Sequence, residues 1–391
     1  MSTLPRTADI VIVGAGVMGT SIAFQLARRG AGRVLVLDKA AVGQGMSGRS
    51  SALVRMHYSY PGEVRLALRS LAMFRGWSEI TGRPGDFRET GFVYIVPGAE
   101  RERLERNVAM QRALGVDARV VTGADLREME PDWCTDDVEV AAYEPGSGYG
   151  DGASVAGDFL AAAREAGAAY CSGTRVTAFR VDGGRVRGVE TEHGHVDAPV
   201  VVAATGPWSG PLLRAAGFAP PIETEYHEVA ILKNPPSLRG AGLACIDGIL
   251  QLYSRPEGRD MTLVGSFYGP RGKDPDAFPQ QAGEESLAEM ASGIARRIPK
   301  LGDARLAHGI TGLYDTSPDH RPLLGEVPGV RGLHLVAGFS GMGFKISPAV
   351  GEAMAEWILD GRATHVDLHP FRPGRFLEGQ PIRGEHEYED E

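Results

Sequence analysis

The stretch Ile10-Val-Ile-Val13, Gly14-Ala-Gly16-Val17-Met18-Gly19, with the segment that runs on to Val34-Leu-Val-Leu37-Asp38, decides the fold. Ile10–Val13 is a continuous β-branched run of the kind found in strands buried on both faces. After the glycine-rich turn, Ile22, Ala23, Leu26 and Ala27 share one helical face, and Val34–Leu37 returns as a second buried strand. Strand, helix and parallel strand within about 30 residues make one βαβ unit with a right-handed crossover. The glycines have separate duties. Gly14 permits the tight turn, Gly16 lets the backbone approach a pyrophosphate, and Gly19 lets helix and strand pack closely. The helix start, at Val17 and Met18, offers free N–H groups and partial positive charge to phosphates. Asp38 stands 19 residues after Gly19, where a carboxylate accepts hydrogen bonds from a ribose diol. The unit reads as a dinucleotide site.

Working outward, the chain does not continue into further βα units as a nicotinamide dehydrogenase would. It enters residues 43–51 (GQGMSGRSS), a polar, glycine-rich loop without periodicity, suited to wrap a large cofactor. Residues 63–80 then read as a helix, Phe92–Val96 as a strand, and residues 100–114 and 154–166 as helices. Residues 175–181 and 186–192 flank Asp182-Gly183-Gly184 and read as a hairpin. Residues 199–204 (PVVVAA) form an apolar strand that returns to the first sheet. From 225 to 267 the chain is strand-like, with strands expected at 228–232, 249–254 and 261–267, which points to an antiparallel sheet. Leu333–Ala337 is again a strand, and residues 346–359 a helix with Val350, Met354 and Ile358 on one stripe. The fold class is α/β, with a discontinuous Rossmann-like nucleotide domain (1–85, 145–222 and 308–380) and an inserted antiparallel-sheet substrate domain of α+β character (86–144 and 223–307).

The chain has 391 residues, enough for two or three domains. It carries 41 basic against 50 acidic residues, a net charge of −9, so it has no general field for nucleic acid or an anionic membrane. An anionic ligand must be held by local devices. Residues 381–391 are expected to be an acidic, disordered tail. Cys134, Cys171 and Cys245 are far apart with no CxxC spacing, which excludes a disulfide framework or a cysteine zinc site and leaves buried reduced thiols; no metal is expected. No apolar run reaches the roughly 18 residues of a membrane span, and the N-terminus lacks the core of a signal peptide, so the expected location is cytoplasmic.

A second glycine-rich turn, Gly338-Phe-Ser-Gly341-Met342-Gly343-Phe344-Lys345, follows a strand and feeds a helix. It brings backbone and helix dipole toward a flat or anionic group, such as the N1/C2 oxygen edge of a reduced flavin. Together, GAGVMG with Asp38, SSALVRMHY at 50–58, ATGPWS at 204–209, TSPDHRPLLGEVP at 316–328 and AGFSGMGFKISPAVG at 337–351 resemble the FAD-dependent D-amino acid oxidase superfamily, on its glycine oxidase and sarcosine oxidase side. The resemblance runs from about residue 8 to 362.

The resemblance implies FAD across the Rossmann-like domain and a substrate beneath the sheet. Candidate cofactor contacts are Gly14, Gly16, Val17, Met18, Gly19, Asp38, Lys39, Ser50, Ser51, Val176, Gly206, Trp208, Gly341, Met342, Gly343, Phe344 and Lys345. Arg55 and Lys345 match the family's carboxylate clamp, a bidentate fork and a point charge. Tyr253 matches an active-site tyrosine; His57 follows Arg55 on the same loop; Arg255, Tyr58, His227 and Tyr314 are weaker candidates. The chain departs from the family at several places. Gly312 stands where some relatives have the cysteine that anchors flavin, which implies noncovalent FAD. No histidine lies at 149–152, Met342 replaces a histidine, Ala52 replaces an arginine, and 261–266 holds no lysine for oxygen activation. The implied activity is oxidation of the C–N bond of a small amino acid or N-methyl amino acid by hydride transfer to flavin N5, giving an imine that hydrolyses. O₂ or another electron acceptor would complete the turnover. The alternatives are an FAD-dependent 2-hydroxy acid dehydrogenase, with His57 or His227 as base, and a flavoprotein subunit of a larger complex. The sequence leaves the oligomeric state open.

Overall fold

The opening βαβ unit forms as its residues dictate. Strands Ile10–Val13 and Val34–Leu37 pair in parallel, Ile10 opposite Val34, and every residue in both is buried. Helix Val17–Arg28 crosses between them, and Gly19 is what lets it lie close. A Cβ at Gly19 would stand 1.9 Å from the Gly14 carbonyl oxygen. Gly14 has φ +108°, and a Cβ there would stand 2.3 Å from the Ala204 oxygen, so neither position admits a side chain. The computed structural model describes residues 4–238 and 242–388.

This pair is the centre of a six-stranded sheet in the order Leu323–Glu326, Leu333–Ala337, Val200–Ala203, Ile10–Val13, Val34–Leu37, Ala169–Cys171. All neighbours run parallel except the Leu323–Glu326 edge. Ile10, Ile12, Val34 and Val36 bury against helices Val17–Arg28, Gly152–Glu165 and Gly343–Asp360. The alternate residues Val11, Val13, Leu35 and Leu37 bury against a small three-stranded sheet, Val176–Asp182, Arg185–Thr191 and Gly194–Asp197. The expected hairpin is its first half, and Gly183 and Gly184 both take positive φ, as a two-residue type I′ turn requires.

The second large sheet has eight strands, ordered Arg305–Thr316, Glu223–Lys233, Met261–Ser266, Leu252–Glu257, Ala244–Asp247, Phe92–Val96, Val140–Glu144, Arg119–Val121. Its Ala230, Leu232 and Val264 pack on helix Glu284–Arg297, while Val229, Ile231, Leu263 and Tyr253 point to the opposite face.

Several expectations need correction. The sheet is not wholly antiparallel, because Ala244–Asp247 runs parallel to Phe92–Val96. The boundary at 308 falls inside Arg305–Thr316, which pairs along its length with Glu223–Lys233 in the larger sheet. The strand expected at 249–254 is Leu252–Glu257, since residues 248–251 turn through Gln251 at φ +57°. Helix 63–80 is two helices, Pro61–Arg75 and Trp77–Thr81, parted at Gly76. The last helix starts at Gly343, three residues before the expected start. Cys134 is exposed; Cys171 and Cys245 are buried. The tail is packed: Ile382 and Tyr388 are buried, and only 389–391 of the expected disordered segment lie outside the described residues. No helix among the described residues is long and apolar enough to cross a membrane.

Candidate active site

A cavity of about 700 Å³ opens where the two large sheets meet, within the range of small-molecule and cofactor pockets. Of the expected cofactor residues, Gly14, Gly16, Val17, Met18, Asp38, Lys39, Ser50, Ser51, Val176, Gly206, Trp208, Gly341, Gly343 and Phe344 line it. Gly19, Met342 and Lys345 do not line it.

At the dinucleotide motif the cavity wall is mostly backbone. Asp38 accepts hydrogen bonds from the Ala15 N–H at 2.6 Å and the Ala40 N–H at 2.8 Å, so it pins the glycine turn as well as lining the cavity. Burial raises its pKa, and these hydrogen bonds and Lys39 only partly offset that. Ser47 Oγ accepts from the Val17 N–H at 3.0 Å, which ties the loop 43–51 to the start of the first helix. At the solvent edge Asp276 reaches over from the segment between strand Met261–Ser266 and helix Glu284–Arg297. Its carboxylate accepts from Lys39 Nζ at 2.7 Å, Trp208 Nε1 at 2.8 Å and Arg175 at 3.2 Å, and the Lys39 ammonium also lies 3.8 Å from the Trp208 ring centre. Lys39, with Trp208 and Arg175, pulls Asp276 down to about 2 against its partial burial.

The other end is aromatic and charged. Tyr253 lines the cavity, hydrogen-bonds Tyr314, and is pushed well above the usual phenol range chiefly by burial. Tyr314 stacks on His227 at 3.9 Å, and His227 Nε2 lies 3.1 Å from Glu225. Burial pushes the Glu225 carboxyl up, but His227 and Arg271 outweigh it and hold it low. Gly341 is glycine for a reason: φ is +85°, and a Cβ would meet the Tyr314 ring at 2.7 Å.

From Ser51 the chain turns away through Ala52, which is buried at φ +51°, a left-handed conformation that costs a non-glycine residue energy. Neither Arg55, which is half-buried, nor His57, which is buried, is among the residues lining the cavity. The Arg55 guanidinium carbon lies 4.4 Å from the Tyr58 ring centre and 5.9 Å from those of Phe92 and Tyr94, and Nη1 donates to the His57 carbonyl. Burial, with the Arg55 charge adding, pulls His57 down to about 3, so its ring is neutral at pH 7. Lys345, in the first turn of Gly343–Asp360, is 6% exposed. Its pKa is driven well below the ordinary lysine value by burial and then by Arg55, with Glu63 opposing. Arg55 and Lys345 are thus electrostatic neighbours. Arg255 is spent elsewhere, on the Ser51 carbonyl and Glu257.

Sequence reasoning missed Arg49, Asp276, Phe278 and Tyr388. Arg49 lines the cavity and donates to the Thr311 carbonyl at 3.0 Å and to Gln280 at 2.8 Å; it lies in the loop already suspected of wrapping a cofactor. Asp276 and Phe278 carry no local signal. None of the three cysteines lines the cavity. Glu352, Glu356 and His365 come close enough to hold an ion, but Arg69 grips Glu352 at 2.7 and 2.8 Å and Thr364 holds Glu356.

Comparison with known proteins agrees with this geometry. Human mitochondrial sarcosine dehydrogenase is 28% identical over 95% of the chain, which spans only 42% of that protein's length. Glycine oxidase of Geobacillus kaustophilus is 27% identical over 94% of the chain and 97% of its own length. Among solved structures, L-proline dehydrogenase from P. horikoshii superposes with a TM-score of 0.89 at 28% identity, covering 97% of this chain and all of that one. The model of the DAO family, described as FAD dependent oxidoreductase, matches residues 9–357. A glycine turn closed to side chains, Asp38 beside it and a cavity beneath the second sheet are thus accounted for together: the chain belongs to the DAO family of FAD-dependent oxidoreductases, and FAD is its cofactor.

Proposed function

We propose that this protein oxidises the C–N bond of a small amino acid or N-methyl amino acid whose carboxylate is held by Arg55 and Lys345. Lys345 is the observation that carries the reading. It is a buried amine with no ion pair among the described residues, and its hydrogen bond to the Gly341 carbonyl is long, at 3.4 Å. Burying an ammonium without an anion is costly, and Arg55 nearby raises that cost. The acid that acts on Lys345, Glu63, lies 2.8 Å from Arg321. A buried amine without an ion pair among the described residues, with a second basic side chain beside it, suits a ligand that brings its own negative charge. Sarcosine, glycine and proline, named in the relatives, all carry an amine next to a carboxylate.

FAD, when bound, supplies the acceptor for the hydride. The residues fit it: Gly14 and Gly16 leave the backbone bare, the first helix opens onto the cavity at Val17, and Asp38 lines it. Lys39, Ser50, Ser51, Val176, Gly206, Trp208, Gly341, Gly343 and Phe344 complete the set, while Gly19 and Met342 lie off the cavity lining. With no cysteine on the cavity, acid precipitation should release the flavin to the supernatant; flavin left in the pellet would show a covalent link. Arg55 contributes a fork that orients the carboxylate, Lys345 a point charge, and Tyr253 and Tyr314 a buried wall that excludes water.

His227, on the cavity and 3.1 Å from Glu225, supports a second reading, oxidation of a 2-hydroxy acid with His227 as base. His57 does not serve that reading, because its ring is fully buried and its Nε2 is already hydrogen-bonded to the Tyr388 hydroxyl at 2.7 Å. Anaerobic addition of amino acids, amines and 2-hydroxy acids to the purified protein separates them. Amino acids should bleach the flavin; bleaching by hydroxy acids alone would replace the first reading with the second.

A further inference from the structure

The described part of the acidic C-terminal segment, residues 381–388, packs onto the rest of the fold beside His57. Ile382 N–H donates to Asp319 Oδ2 at 2.8 Å, Asn107 Nδ2 donates to the His386 carbonyl at 2.9 Å, and Arg321 reaches both Ser59 Oγ at 3.1 Å and Glu387 at 3.3 Å. These anchors deliver Tyr388, 6% exposed, against two other rings. Its ring centre lies 5.4 Å from Tyr94 and 5.9 Å from His57, which itself stacks on Tyr94 at 4.8 Å. The Tyr388 hydroxyl and His57 Nε2 share a 2.7 Å hydrogen bond. The three rings come from three parts of the fold: a loop of the nucleotide domain, a strand of the larger sheet and the C-terminal segment. What they enclose is the residue whose carbonyl receives Arg55 Nη1.

We infer that Tyr388 is a positioning residue for substrate recognition: its hydroxyl holds the His57 ring, the His57 carbonyl then holds the Arg55 guanidinium, and the C-terminal segment thereby sets the carboxylate clamp. This rests on the reading of Arg55 above. Composition alone hides the role, because Glu385 is exposed and Glu387 meets Arg321 while Ile382 and Tyr388 turn inward. A hydrogen bond that fixes a neighbour rather than the ligand acts through geometry, so its loss should weaken ligand binding without touching the cofactor.

Acetate, a carboxylate with no amine to oxidise, is the probe, and its binding to the FAD-loaded enzyme is read from the flavin difference spectrum. Tyr388→Phe keeps the ring and removes the hydroxyl. It should weaken acetate binding by about two- to tenfold, the worth of one hydrogen bond, and raise KM for the best amino acid with kcat little changed. FAD content and the thermal midpoint should match wild type. A chain ending at Glu387 should show the same defect or a larger one. Wild-type acetate affinity in Tyr388→Phe overturns the inference, including the case where the shortened chain loses acetate and FAD together, since the segment is then only a support for the fold. Arg55→Met separates this inference from the reading beneath it. If Arg55→Met alone leaves acetate binding intact, the clamp itself fails. If Arg55→Met weakens binding, adding Tyr388→Phe to it should cost nothing more; a further full-sized loss overturns the route through Arg55.

Discussion

The two ends of the cavity are made of different materials. At the dinucleotide end recognition is by backbone: bare glycines, a helix start, and one carboxylate already bonded to two N–H groups. At the proposed substrate end it is by side chains, a half-buried Arg55 with buried His57 and Lys345, brought together from segments nearly 300 residues apart, with Tyr94 and Tyr388 stacked on His57. Backbone recognition fails when a side chain is added. Charge recognition fails when one is removed, and it responds to pH.

The largest expected effect follows from the first half of that contrast. Gly14→Ala must adopt a left-handed backbone and displace the Ala204 carbonyl, a combined cost of roughly 2–5 kcal/mol. The purified variant should be colourless or nearly so; wild-type flavin content would mean that the turn is not where the cofactor comes close. Asp38→Ala should weaken FAD binding by about 1.5–3 kcal/mol, the range for hydrogen bonds to a charged group, with part of the loss arising from the freed Ala15 and Ala40 N–H groups. Full occupancy after long dialysis would remove Asp38 from the site.

The pH response belongs to the other end. Lys345 has a lowered pKa because it is buried beside Arg55, so it loses its charge as pH rises through a range below the ordinary lysine value. Acetate affinity should therefore fall with rising pH, at a limiting slope of about tenfold per unit for one proton. Lys345→Met should flatten the profile; an unchanged slope in that variant would assign the titration to another group. The smallest effect is expected at the solvent edge. Asp276→Asn weakens the contacts to Lys39 and Arg175, which are half exposed and worth about 0.5–1 kcal/mol in all. FAD should leave about two- to fivefold faster by stopped-flow fluorescence, and release at the wild-type rate would make the bridge incidental.

The same contrast explains what the sequence made legible. GAGVMG, Asp38 and GFSGMGFK are contiguous, and each glycine meets its constraint within the same turn or one strand away, so reading them in order is enough. The strands at 200–203 and 333–337 announced themselves as apolar runs because both their faces are covered. The substrate end is not contiguous. Nothing near Asp276 marks it as the partner of Lys39, and the pairing exists only once the segment after Met261–Ser266 folds back onto the end of Val34–Leu37. The C-terminal acids outvoted Ile382 and Tyr388 in any composition average, although these two apolar anchors decide where the segment lies. Arg55 and His57 were found by motif, yet their place off the cavity lining follows the left-handed turn at Ala52, which no propensity predicts.

The central proposal is that two neighbouring basic side chains, the half-buried Arg55 and the buried Lys345, select a carboxylate beside the flavin. Its most direct test is anaerobic flavin reduction by the best amino acid and by the amide of that amino acid, in wild type and in Arg55→Met. Wild type should prefer the acid strongly, and Arg55→Met should lose a few kcal/mol in kcat/KM for the acid, up to about 3 per charged hydrogen bond, while the amide changes little. Equal reduction by acid and amide in wild type, or an Arg55→Met enzyme that reduces with the acid as fast as wild type, would contradict the account.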